Sequence, residues 1–299
     1  PFNIEFRPED VDLDVDVPLL GMPADSDWVL QGPYIYDRSL TRNPFIFDIS
    51  NQVGSYAART QYVEVFLNTD DAEVSAADYN GIYVIIEKPK RSPDRVNVQE
   101  MTIETNAEPD ITGGYVLKID RRDPGDLGFS AGGYFSAEGA LSYVDPKENE
   151  ITTAQATYLR NYFNDIRKAL SADDFTSPDT GLHYSELIDV QSWLDHHILN
   201  ELMLNPDALR VSTFLYKPRN GKVFAGPVWD FDRTAESLDG RDDNPNIWYL
   251  GGSPQIQIRR NPNTNTFLAR HAAAAQPLHL RRLAALALLL DLALLAGLR

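Results

Sequence analysis

The sequence predicts an α+β protein with a sheet-rich first half and a helical second half. Three observations predict it. Apolar and polar residues alternate in TQYVEVFLN (60–68), the two-residue period of a half-buried strand, and a second strand, GIYVIIEK (81–88), follows a turn signal. Apolar residues recur at Tyr158, Leu159, Tyr162, Phe163, Ile166 and Leu170, the spacing of an amphipathic helix. A short strand pair, TFLYK (213–217) and KVFAGPVW (222–229), flanks the turn signal PRNG and returns the chain to sheet.

The elements follow in order. The acidic stretch IEFRPEDVDLDVDVPLL near the start alternates in part and reads as a strand or two. RSLTRNPFIFDISNQVG then reads as a helix, with Asp37 as N-cap and Gly54 as terminator, and with Pro44 a point where it would kink. The strand at 81–88 begins just after Asn80-Gly81, a hairpin-type turn signal. GGYVLKID (113–120) is a third strand, and 122–150, rich in Gly and Asp, is loop with short strands. The helix 151–171 is followed by a mostly apolar one over 185–204, which ends at Asn205-Pro206. These readings divide the chain into a sheet-rich lobe (1–150), a helical lobe carrying the hairpin (151–250) and a tail (251–299) whose later part is almost entirely Ala, Leu and Arg. In that tail residues 283–298 are apolar except for Asp291, too short for a membrane span and with a carboxylate costly in lipid, so no span is expected.

Composition narrows the function. The 299 residues carry a net charge of −17, which argues against nucleic acid as a partner. With no cysteine, thiolate metal sites and cysteine nucleophiles are excluded, and any metal must be held by oxygen or imidazole. No signal peptide is visible at Pro1. His196 and His197 are adjacent on a helix and diverge by about 100°, so they read as a core and a surface residue, not as a shared metal site. Trp28, Trp193 and Trp248 read as core, Arg42 and Arg59 as partners of acidic residues, and DGRDD (239–243) as solvated loop.

The chemistry concentrates around KVFAGPVWDFDRT (222–234), where an apolar strand runs into Asp230 and Asp232. Asp207 and Ser212 precede the first strand of the hairpin, and Asp230 follows the second. Antiparallel pairing makes those ends neighbours, about 5 Å apart. Two or three carboxylates are therefore expected to converge at one sheet edge, which is expensive unless a cation or a shared proton relieves them. Mg²⁺ with a phosphate ligand is the natural occupant. The order of a buried helix, an Asp, a residue five positions on, a hairpin and an Asp next to Phe is also the order of catalytic parts in protein kinases. A D-x-D glycosyltransferase is disfavoured because no early βαβ pattern is present.

WVLQGPYIYDRSLTRN, YVEVFLN…YNGIYVIIEKPKR, GGYVLKIDR and LNPDALRVSTFLYKPRNGKVFAGPVWDFD together resemble the CotH family, the spore-coat protein H kinases, over about residues 25–240. The resemblance implies an atypical protein-kinase-like two-lobed fold, with the C-terminal lobe here incomplete. It implies ATP with Mg²⁺ (or Mn²⁺) as cofactors, and phosphorylation of Ser or Thr on a secreted or surface protein of a bacterium. By that resemblance Asp207 is the catalytic base, Asp230 the chief metal ligand and Asp232 a second. Ser212 stands where a kinase has its metal-binding Asn, and a hydroxyl can ligate Mg²⁺. Lys118 is the first choice for the cation facing the nucleotide phosphates and Lys88 the second, with Glu87 a structural partner; Trp229 or Tyr216 would stack on adenine. No G-x-G-x-x-G loop is present, and Gly132-Gly133 is too weak a substitute. A non-catalytic structural or surface protein that keeps the fold is the competing expectation.

Overall fold

The computed structural model describes residues 1–7, 13–32, 34–70, 72–121, 127–130, 141–208, 210–238 and 240–244. The expectations for the tail at 251–299, for Trp248 and for Gly132-Gly133 lie outside them. The architecture is α+β. Its first sheet runs β1 (Phe2–Glu5), β4 (Asp27–Gln31), β6 (Tyr79–Glu87) and β5 (Thr60–Phe66) in spatial order, all antiparallel. A small pair, β2 (Val17–Leu19) and β3 (Met22–Asp25), leads into it. The strands expected over 60–68 and 81–88 are present, but Asn80-Gly81 is not their turn. Strand β6 already starts at Tyr79, and the register slips between Val65 and Phe66, so Asn80 is the extra residue of a bulge. Gly81 sits there at φ 109°, a conformation that costs glycine nothing.

Helix α1 (Arg42–Gln52) packs on this sheet. Its N-cap position is Thr41, not Asp37, and Thr41 makes no side-chain cap. Asp37 does the capping from five residues back, its Oδ2 accepting the Arg42 N–H at 2.8 Å while Arg42 Nη1 pairs with Oδ1 at 2.8 Å. Pro44 falls in the first turn, where an N–H has no partner to lose, so no kink arises. One apolar cluster joins Val29, Val84 and Ile86 of the sheet, Ile46 and Phe47 of α1, Leu199 and Met203 at the end of a later helix, and Val228 and Phe231. The strand expected over 222–229 covers only Phe224–Ala225. The acidic segment 230–232 beyond it is thus built into the core through Phe231, which is 1% exposed.

The second sheet runs β11 (Phe224–Ala225), β10 (Thr213–Lys217), β7 (Tyr115–Ile119), β9 (Leu141–Asp145) and β8 (Gly128–Phe129), again antiparallel. It takes strands from both sides of residue 150, and β10 pairs along its whole length with β7. Helix α2 (Thr153–Ser171) covers one face through Tyr158 on Tyr115 and Phe163 on Phe129, ring centroids 6.3 and 5.5 Å apart. A capping box fixes its start, with the Thr152 hydroxyl taking the Gln155 N–H and Gln155 returning to Thr152.

The helix expected over 185–204 is two. A four-residue turn, α3 (Tyr184–Leu187), stops at Ile188, which leaves the helix to bridge Val223, and Asp189 caps a new helix, α4 (Val190–Leu202), by accepting the Ser192 N–H at 2.8 Å. Trp28 and Trp193 are core residues, as expected. Among the described residues no helix is long and apolar enough to cross a membrane.

Candidate active site

The hairpin β10–β11 creates the site. Its turn closes with Gly221 N–H donating to the Pro218 carbonyl at 3.0 Å, with Asn220 at φ 55°. The chain that enters β10 and the chain that leaves β11 are brought side by side, and Ser212 Oγ donates to Asp230 Oδ2 at 3.2 Å. Both residues adopt left-handed backbone, φ 53° and 60°. Such conformations cost about 1–3 kcal/mol each for a residue with a side chain and persist where the surroundings impose them. Here the surroundings are the buried Val211, Thr213, Val228 and Phe231 on either side.

Electrostatics at this end of the sheet are unbalanced. Burial raises the proton affinity of Asp230, the Ser212 hydrogen bond opposes the rise, and the charges of Asp207 and Asp120 add to it, with Arg233 countering. Asp232 is pushed up to about 7, by burial first and then by Asp230, with Arg233 opposing and Asp207 and Asp37 adding. Arg233 lies over the Tyr36 ring, its guanidinium carbon 3.9 Å from the centroid.

Asp207 is buried on the loop after α4. Its carboxylate is held by Arg210, and Arg241 stands 3.6 Å from the same oxygen. Of the two or three carboxylates expected to converge, Asp207 still raises the proton affinity of both Asp230 and Asp232. Among the described residues no three acidic or imidazole groups come together closely enough to hold a metal ion. Asp207 meets positive charge as well, from Arg210 and Arg241. In direct contact are Asp230 and the Ser212 hydroxyl, with Asp232 close enough to feel the charge of Asp230. Two carboxylates and a hydroxyl form an all-oxygen donor set that fits Mg²⁺ or Mn²⁺ when phosphate oxygens and water complete the sphere. The raised proton affinities mark the negative charge such an ion would offset.

The remaining sequence-predicted residues are dispersed. Lys118 is half-buried on β7, directly opposite Phe214 on one side and Ser142 on the other, with no hydrogen bond or ion pair among the described residues. Two positions on, Asp120 is near enough to raise Asp230, so the strand carrying Lys118 does run toward the acidic end. Lys88 instead lies 3.8 Å from Asp27. Glu87 is a structural partner, of arginines and not of a lysine: Arg59 Nη2 pairs with it at 2.8 Å, Arg59 N–H and Nε–H donate at 2.8 and 2.9 Å, and Arg95 approaches to 3.9 Å. Trp229 stacks on Phe47 at 5.9 Å and meets Phe214 edge-on at 6.2 Å, linking the apolar clusters beneath the two sheets. Tyr216 stacks on Phe224 at 5.0 Å. His196 is buried and held neutral, pushed down to about 4 by burial and then by the neighbouring His197.

Sequence reasoning missed Asn43, Asn205, Arg210 and Arg233. Asn43 carried a usable signal: it shares with Ile46, Phe47 and Ser50 the buried face of α1. A carboxamide on an apolar stripe must find partners, and its Oδ1 takes the Phe231 N–H at 2.6 Å.

No curated protein matches the chain. The family pattern described as CotH kinase protein matches residues 1–275, which extends the resemblance of 25–240 at both ends, and the chain therefore belongs to the CotH kinase protein family.

Proposed function

We propose that this protein is an ATP- and Mg²⁺-dependent phosphotransferase (Mn²⁺ serving as well) that phosphorylates Ser or Thr on a secreted or cell-surface bacterial protein. The observation that carries the reading is the hairpin that sets Ser212 on Asp230, with Asp207 on the loop entering the same hairpin. Membership of a kinase family supports it. In this reading the sheet-rich lobe (1–150) and the helical lobe (151–250) are those of an atypical protein kinase, with the second sheet shared between them.

Asp230, Asp232 and Ser212 would hold the metal ion, which when bound neutralises charge on the phosphates. Asp207 accepts the proton of the substrate hydroxyl, and its oxygen must part from Arg210 and Arg241 to do so. The freed guanidiniums then face the transferred phosphoryl group, where fixed positive charge lowers the barrier. Lys118 is the lysine on a strand running to the site, and Trp229, between the two apolar clusters, is the aromatic surface for the base. Glu87 with Arg59 and Arg95 stiffens the first sheet, and Lys88 flanks it.

The test is incorporation of label from γ-labelled ATP into the protein itself, alongside calorimetry of MgATP. Wild type should bind and transfer, Asp207→Ala should bind without transfer, and Asp230→Ala should do neither. Failure of wild-type protein to bind MgATP would overturn the proposal. The arginine pair on Asp207 favours one competing reading, a surface protein that keeps the fold without the chemistry; label transfer abolished by Asp207→Ala excludes it.

A further inference from the structure

Two buried carboxamides each accept a backbone N–H of an acidic segment, Asn43 from helix α1 and Asn205 from two residues back in the loop that follows α4. On one side, Asn43 of α1 is 3% exposed; its Oδ1 accepts the Phe231 N–H at 2.6 Å and its Nδ2 donates to Gln31 Oε1 of β4 at 2.7 Å. On the other, Asn205 is 5% exposed; its Oδ1 accepts the Asp207 N–H at 3.0 Å and its Nδ2 donates to Asn200 Oδ1 of α4 at 2.8 Å. Asn200 is anchored in turn, its Nδ2 donating to the His196 carbonyl at 2.7 Å and lying 3.2 Å from His196 Nδ1. A backbone N–H can only donate, so in each case it dictates which end of the carboxamide faces the loop. Neutral His196 can accept from Asn200, so the second chain is complete from helix core to loop.

The two carboxamide hydrogen bonds share no residue. The loop after Asp230 is also tied further on, where Ala235 N–H donates to the Met203 carbonyl at 2.9 Å and Arg42 Nη2 donates to the Ala235 and Glu236 carbonyls at 3.2 and 3.3 Å. Asn43 holds the segment between Asp230 and Asp232, and Asn205 holds the segment that begins with Asp207. Buried amides that lose such partners leave an unsatisfied donor, which the loop would relieve by moving to water.

We propose that Asn43 and Asn205 are positioning residues with separable tasks: Asn43 sets the metal-binding arm of the site and Asn205 sets the arm that carries the base. The assignment of tasks rests on the phosphotransferase reading, and the experiment keeps the two apart. Mn²⁺ binding is followed by electron paramagnetic resonance, the Phe231 and Asp207 amides by hydrogen exchange, and label transfer by steady-state kinetics. Asn43→Leu should weaken Mn²⁺ binding about ten-fold or more, the usual effect of removing a group that orients a metal ligand, and should strip protection from the Phe231 amide alone. Asn43→Asp keeps an acceptor for that amide, and Gln31 can rotate to donate to it, so Mn²⁺ affinity should stay near wild type.

Asn205→Leu should leave Mn²⁺ affinity within about two-fold of wild type, because its bond is to the other loop, and should expose the Asp207 amide. Its kcat should fall about 10²-fold with KM for ATP unchanged, the cost of a base displaced by about 1 Å. Asn200→Leu, one link further back, should reproduce the Asn205→Leu pattern in weaker form. Equal loss of Mn²⁺ binding in the Asn43→Leu and Asn205→Leu proteins would overturn the inference, as would full amide protection in either. If wild type binds Mn²⁺ but transfers no label, the phosphotransferase reading fails while the exchange and metal arms still decide the inference.

Discussion

Two clusters of buried charge lie in this molecule, and they are built on opposite plans. Around Glu87 each negative charge is met by positive charge: Arg59 and Arg95 converge on Glu87, Arg95 and Lys90 on Asp25, and Lys90 and Lys88 on Asp27. Tyr56 adds a hydroxyl to Glu87, and the nearby negative charge joins burial in raising the phenol far above its ordinary range. Around Asp230 the opposite holds. Asp230 and Asp232 have a serine hydroxyl and the outlying Arg233 between them, and both take protons more readily than a free carboxylate. The first cluster is closed, its charges paired within the fold, although Glu87 Oε1 meets its arginines without a well-formed hydrogen bond. An open cluster leaves like charges together, which a bound cation would offset.

The comparison breaks most sharply at Asp230. Asp230→Ala should reduce phosphotransfer by at least about 10³-fold, the scale of losing a principal charge-stabilising group. It should leave the melting temperature without Mg²⁺ unchanged or higher, since a repelling carboxylate is gone. A large fall in that temperature would mean that the acidic cluster is a structural one like the other.

Glu87→Gln tests the closed cluster. It strands Arg59 and Arg95 around a neutral amide and should cost about 3 kcal/mol in chemical denaturation, at the lower end for a broken buried pair because the Arg59 side chain is 39% exposed. MgATP affinity of the folded protein should not change. A change there would join the two clusters into one site.

The pH dependence of stability separates them in a third way. Native Asp232 keeps its proton up to about pH 7, whereas the unfolded chain releases it near 3.8. Between those values the native state binds more protons, so the contribution of Asp232 lowers stability as pH rises from about 4 to about 7 and is constant above. Asp232→Asn should flatten that limb in urea titrations run without divalent cations. Added Mg²⁺ should restore stability at pH 8 and not at pH 5.

The smallest expected effect lies far from both. Gly81→Ala forces φ 109° on a residue with a side chain, while the added carbon meets nothing within 4 Å. The cost should be conformational, about 1–2 kcal/mol, with no effect on transfer. A greater loss would show that the bulge in β6 bears on the Glu87 end of the same strand.

How much of this was legible in the sequence depended on how local the cause was. Strand β5 and helix α2 follow from periodicity, while β6 and β10 are legible as apolar runs beside turn signals. The approach of Ser212 to Asp230 follows from the hairpin only in outline: the β10–β11 register continued outward sets Val228 across from Ser212, and both residues leave the strand path through left-handed backbone. Asn80-Gly81 misled because the same positive φ that makes a turn also makes a bulge, and only the pairing with Val65 distinguishes them. The break between α3 and α4 depends on Ile188 bridging Val223, a contact 35 residues away along the chain, which no window of helical spacing contains. Glu87 met arginines from positions 59 and 95, and Asp207 was captured by Arg241, a residue read as part of a solvated loop. Oppositely charged partners that distant are set by the fold, and a list of acidic and basic residues does not rank them.

The pairing of β10 with β7 has a practical side. A fragment ending at residue 150 would keep β7, β8 and β9 but lose β10, leaving the backbone donors and acceptors of Tyr115–Ile119 bare along one edge. That edge bears Val116 and Leu117, both buried in the intact chain. A flat, apolar, unpaired strand is a template for other copies of itself. Production of the first half alone should therefore yield aggregates, and the hairpin that frames the acidic site also covers this edge.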